Sequence, residues 1–261
     1  MSNPGKSGLL AGKKGLVLNV TNKNSIGWAI AEAANQHGAE VGVGGQNERL
    51  VDGVLKLIEG REGFRPFTID FGNDEEFDRL VEQIKTAYGT IDFVVHSAAF
   101  APREAMQGKF IDTTRDDFRI ALDVSCYSFL KLAAAVKPVL NHGGSILTLT
   151  YLGSVRAMRA YNVMGVAKAA LESTARYLAM DLGEIGVRVN ALSPGPMNTV
   201  AARGVPGLKE MIDFVGERAP LRRAAVQEDV AGSAVYLLSD LSSGVTGEVI
   251  YVDAGYNIVA L

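Results

Sequence analysis

Seven short apolar runs punctuate this 261-residue chain, at 15–20, 39–43, 64–69, 92–96, 145–151, 187–192 and 248–252. Each is nearly continuous in apolar residues rather than alternating, the pattern of strands buried on both faces. Between them lie stretches with apolar residues at helical spacing: 28–37, 74–88, 115–140, 160–182 and 228–238. Strands separated by helices join as parallel neighbours through crossovers, and the helices must then cover both faces of the sheet. The expected fold is α/β, a doubly wound seven-stranded parallel sheet of the Rossmann type. Neither an internal repeat nor a linker divides it, so residues 12–261 read as a single domain behind a flexible tail at 1–11.

Ligands of such sheets bind in the crevice beyond the carboxyl ends of the strands. Asn19, Gln46, Asp70, Ser97, Tyr151 and Met197 all fall at strand ends. Thr21 to Gly27 forms a small polar loop between the first strand and helix, which can turn backbone N–H groups and a helix N-terminus toward a pyrophosphate. The glycine fingerprint G-x-G-x-x-G is missing there, so an ordinary βα turn is an equal reading. Gln46 stands where such folds discriminate between a ribose hydroxyl and a 2′-phosphate. It can bond a hydroxyl, with nothing basic nearer than Arg49, which favours NADH over NADPH. Asp70 and Phe71 offer one polar and one flat residue for an adenine, unless Asp70 only caps the next helix. His96 ends an apolar strand and reads as a core histidine with its hydrogen bonds satisfied.

Tyr161 and Lys168 are seven residues apart, which on a continuous helix returns both to nearly one face. A phenol beside an ammonium can act on one ligand, because the cation lowers the cost of a phenolate. The segment 200–218 mixes Gly, Pro, Met and charge, as a mobile flap over a site would.

Charge and composition exclude other classes. The formal net charge is −3 and the pI about 5.7, so nothing electrostatic favours nucleic acid or an anionic membrane. Cys126 is the single cysteine, which rules out an internal disulfide framework and fits a reducing compartment. No apolar run reaches membrane-spanning length and the N-terminus lacks a signal peptide's apolar core. A soluble cytoplasmic protein is expected. Gly5-Lys6-Ser7 lacks the rest of a P-loop, and no His/Cys/Asp/Glu group has metal-ligand spacing.

Three motifs carry a resemblance: Tyr161-x6-Lys168, Asn190-Ala191-x-Ser193-Pro194-Gly195-Pro196, and Thr246-Gly247-Glu248 followed by Val252-Asp253-Ala254-Gly255. They resemble the short-chain dehydrogenase/reductase superfamily. Within it, Tyr161-Asn162-Val163-Met164-Gly165-Val166-Ala167-Lys168, Ser25-Ile26-Gly27, Phe100-Ala101-Pro102 and Leu149-Thr150-Tyr151 are similar to the bacterial enoyl-acyl-carrier-protein reductases, from about Gly12 onward. Superfamily members that reduce ketones have Tyr-x3-Lys with a serine thirteen residues before the tyrosine. Here those places hold Met164 and Tyr151, and the acid has moved to Tyr161. Conjugate reduction develops charge on a carbonyl oxygen remote from the carbon that accepts hydride, and a donor must sit where charge develops. The displaced tyrosine favours C=C over C=O reduction.

The resemblance implies NADH-dependent reduction of the trans-2 double bond of enoyl thioesters on acyl carrier protein, in fatty-acid elongation, by a homotetramer. It implies that Tyr161 bonds the enolate oxygen, Lys168 holds the nicotinamide ribose, and Tyr151 borders the thioester. Asn19, Ser25 and Ile26 would line the pyrophosphate, Gln46 the adenosine ribose, and Asp70 and Phe71 the adenine. Ala98, Met197, Asn198, Thr199, Val200 and Ala201 would surround the nicotinamide half. Ala101 and Met164 would meet the substrate, and the flap would close over the acyl chain. Asn19 stands where the family usually has glycine, and asparagine is the residue most tolerant of that turn after glycine. Other readings are a 3-ketoacyl thioester reductase, a reductase of other activated alkenes and a non-catalytic NAD(P)-sensing module.

Overall fold

The computed structural model describes residues 8–46, 48–199, 202 and 207–260. Its strands are β1 (Lys14–Leu18), β2 (Glu40–Gly45), β3 (Phe64–Thr68), β4 (Ile91–His96), β5 (Leu140–Leu149), β6 (Arg188–Pro194) and β7 (Val249–Val252). They form one seven-stranded sheet in the order β3-β2-β1-β4-β5-β6-β7, every neighbouring pair parallel. The expected doubly wound sheet is what the chain adopts. The order reverses between β1 and β4, and there the crevice opens at the carboxyl edge.

The helices are α1 (Ile26–Gln36), α2 (Glu48–Ile58), α3 (Asp74–Ala87), α4 (Arg115–Leu122), α5 (Ser128–Val136), α6 (Val163–Gly183), α7 (Leu208–Arg218) and α8 (Gln227–Leu238). Successive strand residues point to opposite faces, so the strands feed two separate cores. Leu16, Leu18, Val94 and Ile146 pack with Phe77, Leu80, Phe129, Leu132 and Leu171, from α3, α5 and α6. Val17, Val43, Val95 and Leu147 pack with Trp28, Ile30, Val230 and Ala234, from α1 and α8. Among the described residues no helix is long and apolar enough to cross a membrane.

Four local readings change. Residues 48–58, unassigned from sequence, form α2. The expected helix over 115–140 is α4 and α5 joined by a π-helical turn at Asp123–Tyr127. It gives way at Lys137–Val139, where Pro138 tightens the chain into a 3₁₀ turn, and β5 begins at Leu140. The expected helix over 160–182 begins only at Val163, because Ala160 (φ 61°) and Asn162 (φ 40°) are left-handed. In the expected flap, Leu208–Arg218 is the regular helix α7, while Val200 and Ala201 lie outside the described residues.

Candidate active site

A cavity of about 510 Å³ opens where β1, β4, β5 and β6 end. At one end, Asn19 leaves β1 with φ 64° and its Nδ2 donates to Ser97 O at 3.2 Å. The left-handed turn expected of it is present. Ser25 caps α1: its Oγ accepts from Trp28 N–H at 3.1 Å and donates to Asn22 O at 2.8 Å. No acidic residue occupies the first turn of α1, so the positive field of that helix end is left for an anion. Asn19, Ser25, Ile26, Ala101, Tyr151, Tyr161, Met164, Lys168, Met197 and Thr199 all line the cavity.

Other candidates lie apart from it. Past the ends of β2 and β3, Gln46 Nε2 donates to Asp70 Oδ1 at 3.0 Å, and Gly72 N–H donates to the same oxygen at 3.0 Å. Asn73, not Asp70, caps α3. Phe71 is only 4% exposed, its ring edge-on to Phe77 and His96. Its aromatic face is therefore spent in the core, and what it can offer a ligand is backbone. Ala98 is also a core residue, with Ala99 on the cavity wall beside it. Asn198 is exposed outside the wall.

At the opposite end of the cavity stand the two tyrosines and the lysine. Tyr161 is not on the helix face shared with Lys168, since α6 starts after it. The left-handed turn at Asn162 swings it instead against Tyr151, ring centroids 4.8 Å apart at 63°. Asn162 Nδ2 lies 3.4 Å from each of the Ala105, Gln107 and Gly108 carbonyls, which fixes that turn. A Cβ on Gly153 would fall 2.5 Å from Tyr161 Cδ1, so the pair exists in this form only over a glycine. Tyr151 Oη donates to Met211 Sδ at 3.4 Å, linking it to α7.

Lys168 Nζ donates to Leu149 O at 2.7 Å, at the end of β5. Burial pulls its ammonium down to about 8, against the pull of the Glu172 charge in the other direction. Glu172 is a buried carboxylate one turn further along α6, and Thr150 Oγ1 donates to it at 2.6 Å. Burial pushes the Tyr151 phenol up to about 12, with a smaller push from Tyr256. Burial raises Tyr161 further, with the charges of Tyr151 and Glu172 adding to it. Both phenols are held as neutral donors, and Lys168 is the group poised near neutral pH.

Met164 fills the position where ketone reductases carry their acid. It packs with Ala105, Ala121 and Val163, and its Sδ lies 3.8 Å from Ser125 Oγ, which donates to Phe100 O at 3.2 Å. The π turn aims that serine, which also accepts from Phe100 N–H at 3.1 Å. His96 lies beneath the site, fully buried. Ser128 Oγ donates to Val124 O at 2.6 Å and so accepts from His96 Nε2 at 2.8 Å, while Nδ1 lies 3.1 Å from Thr148 Oγ1. Burial, assisted by Lys168, holds the imidazole at about 3. It is the satisfied core histidine that its place in the chain suggests.

Arg103, Met106, Met158 and Arg159 also line the cavity. Sequence reading passed over them because they occupy loops without periodicity. Glu172 was also passed over, although its place four residues after Lys168 on a helix marks it as a neighbour.

A switch-point crevice with an acid-free helix N-terminus at one end and a tyrosine–lysine pair at the other defines a dinucleotide-dependent reductase of the short-chain type. Comparison with known proteins narrows this. Residues 20–257 match the family model described as enoyl-(acyl carrier protein) reductase, and the chain belongs to that family. It is 46% identical over 255 residues to enoyl-[acyl-carrier-protein] reductase [NADH] 1 of Rhizobium meliloti, covering 98% of this chain and 94% of the relative. It is 47% identical over 253 residues to the Bacillus cereus enzyme, covering 96% and 99%. The crystal structure of a Bacillus cereus enoyl-acyl carrier protein reductase with NADP+ and indole naphthyridinone superposes with a TM-score of 0.95, at 46% identity, covering 97% of this chain and all of that one. That of the Anaplasma phagocytophilum enzyme in complex with NAD gives 0.93 at 40% identity, covering 98% of each chain.

Proposed function

We propose that the cavity residues divide the labour of enoyl-acyl-carrier-protein reduction as follows. The chain is an NADH-dependent enoyl-acyl-carrier-protein reductase of fatty-acid elongation, and its residues fit the dinucleotide. The left-handed turn at Asn19 and the acid-free start of α1, at Ser25 and Ile26, suit a pyrophosphate. Gln46, Asp70 and the Phe71 backbone take the adenosine half, and Met197 and Thr199, on the cavity wall, border the nicotinamide half. The hydride that reaches the β-carbon comes from the nicotinamide when NADH is bound.

Tyr161 donates a hydrogen bond to the thioester oxygen, where enolate charge develops. Its half-buried, neutral phenol is a donor already in place on the cavity wall. Tyr151 braces that phenol and borders the thioester. Lys168, anchored on Leu149 O, directs its remaining N–H groups to the nicotinamide ribose. Ala101 and Met164 shape the acyl site, and α7 reaches it through the Tyr151–Met211 contact.

One observation carries this reading: Met164, not an acid, fills the ketone-reductase position, while Tyr161 enters the cavity from outside the helix. We also infer a cytoplasmic homotetramer on family grounds; Tyr177 and Met180, 67% and 71% exposed on α6, supply apolar surface for another subunit. The test is loss of NADH absorbance with a short enoyl thioester beside the matching 3-ketoacyl thioester, repeated with NADPH. Turnover of the enoyl compound alone is expected. Turnover of the ketone alone would sink the assignment of Tyr161, and NADH binding without either reaction would leave a sensing module.

A further inference from the structure

We infer that Arg103 and Arg159 form a subsite for the phosphate on the pantetheine arm of the thioester substrate. The inference rests on the proposed function and extends it to the part of the substrate beyond the acyl group. Charge on the cavity wall is one-sided. Among the described residues Arg103, Arg159 and Lys168 line it and no aspartate or glutamate does, although the chain as a whole is net −3. Lys168 is buried and tied to Leu149 O. The dinucleotide's own phosphates belong at the other end, with Asn19 and the start of α1. Among the described residues two cations are then left with no ligand group assigned to them.

Their position identifies what they would meet. Arg103 follows Ala101 and leads into the 3₁₀ turn Glu104–Met106. Arg159 lies between Met158 and Tyr161 on the approach to α6. These segments are more than fifty residues apart in sequence, yet the Asn162 amide ties one to the carbonyls of the other. Both arginines therefore line the cavity that the tyrosine pair enters, with Met106, Met158 and Met164 among its apolar lining. Both are exposed, and neither joins an ion pair among the described residues. An exposed guanidinium without a carboxylate costs little to keep and can bind a phosphate through two parallel N–H donors. An apolar cavity that carries exposed guanidinium groups suits a ligand with an apolar end and a phosphate at the end of a neutral linker. A carrier-borne acyl thioester has that construction, with the phosphate as a diester on the carrier's serine; the free arm carries it as a monoester.

The test compares enoyl-pantetheine with enoyl-4′-phosphopantetheine, which differ only in the phosphate, and adds the carrier-borne thioester. Wild type should prefer the phosphorylated arm by about tenfold in kcat/KM, the effect of roughly one good charge-assisted contact. That preference should fall as salt is raised. In R103A/R159A the ratio should collapse toward one, and the carrier-borne substrate should lose a similar factor. R103K/R159K should keep part of the preference. Equal kcat/KM for the two arms in wild type overturns the subsite, as does an unchanged ratio in the double variant. Loss confined to the carrier-borne substrate also overturns it, placing the arginines against the carrier's own surface. If the double variant is inactive toward both arms, R103A and R159A singly report the same ratio. If wild type reduces no enoyl thioester at all, the proposed function fails first, and the two failures are told apart by that control.

Discussion

Replacing Glu172 with glutamine removes a charge from behind Lys168 while keeping the volume and an acceptor for Thr150. Glu172 is 6% exposed. It receives the Thr150 hydroxyl at 2.6 Å, and Thr150 follows Leu149, whose carbonyl holds Lys168 Nζ at 2.7 Å. One side chain thus ties α6 to the strand end that presents both Lys168's acceptor and Tyr151. It also holds a proton on Lys168, whose ammonium burial has already pulled down from 10.5 to about 8. The two charges make no direct ion pair; for a separation of roughly 5 Å their attraction would be about 3 kcal/mol at an effective dielectric of about 20. If half survives relaxation of the site, proton affinity falls about tenfold.

At pH 7.5 Lys168 is then mostly charged in the wild type and mostly neutral in E172Q. The sign is fixed: removing a carboxylate stabilises the neutral amine, so the alkaline limb moves to lower pH. The assay is kcat/KM for NADH, at saturating enoyl thioester, from about pH 5.5 to 9.5, where the limb reports the free enzyme. The wild-type limb should lie near 8, as the Lys168 value requires, and that of E172Q about one unit lower. At pH 7.5 the variant should show about a threefold loss that shrinks toward pH 6. E172D should recover much of the wild-type profile. An equal loss at every pH, with the limb unmoved, would refute the electrostatic role and leave Glu172 as a strut.

Three other outcomes follow from single contacts. Gly153→Ala places a Cβ 2.5 Å from Tyr161 Cδ1; displacing the ring should lower kcat at least about tenfold and cost about 1–3 kcal/mol, read by steady-state kinetics and urea unfolding. At Asn19, φ 64° predicts that Asn19→Gly stays within about 1 kcal/mol of wild type, whereas Asn19→Leu loses about 1–2 kcal/mol and raises the KM for NADH. His96, held neutral with its pKa at about 3 against 6.5 unfolded, contributes stability that is full above pH 6.5 and lost as pH falls toward 3. Between pH 6.5 and 5 this loss should reach about 2 kcal/mol and should be missing from His96→Gln, measured by urea titration at both pH values.

The sheet was legible because continuous apolar runs have few ways to be buried. Helix α2 was equally open to reading from Val51, Val54, Leu55 and Ile58 at helical spacing, but Gln46 beside it drew attention to the ligand instead. Other features lay beyond local pattern. The π turn in the 115–140 segment is built around Ser125, which must reach back to Phe100, and no propensity encodes such a partner. Asp70 and Phe71 were placed correctly at a strand end, yet the direction of the Phe71 ring depends on Phe77 and His96 across the core.

The tyrosine–lysine pair is the most instructive case. Seven-residue spacing suggested one helix face, and the helix is not there: Ala160 and Asn162 are left-handed, and α6 begins after them. Residues in that conformation are strained unless long-range contacts hold them, and the contacts here are three carbonyls at Ala105, Gln107 and Gly108. A motif read as helical periodicity is therefore a loop read against a distant loop. Tyr161 depends on the 105–108 segment, which directly follows Arg103 and Glu104 in the chain. Loosening it should disturb the acid and Arg103 together, while Lys168, anchored on β5, stays in place.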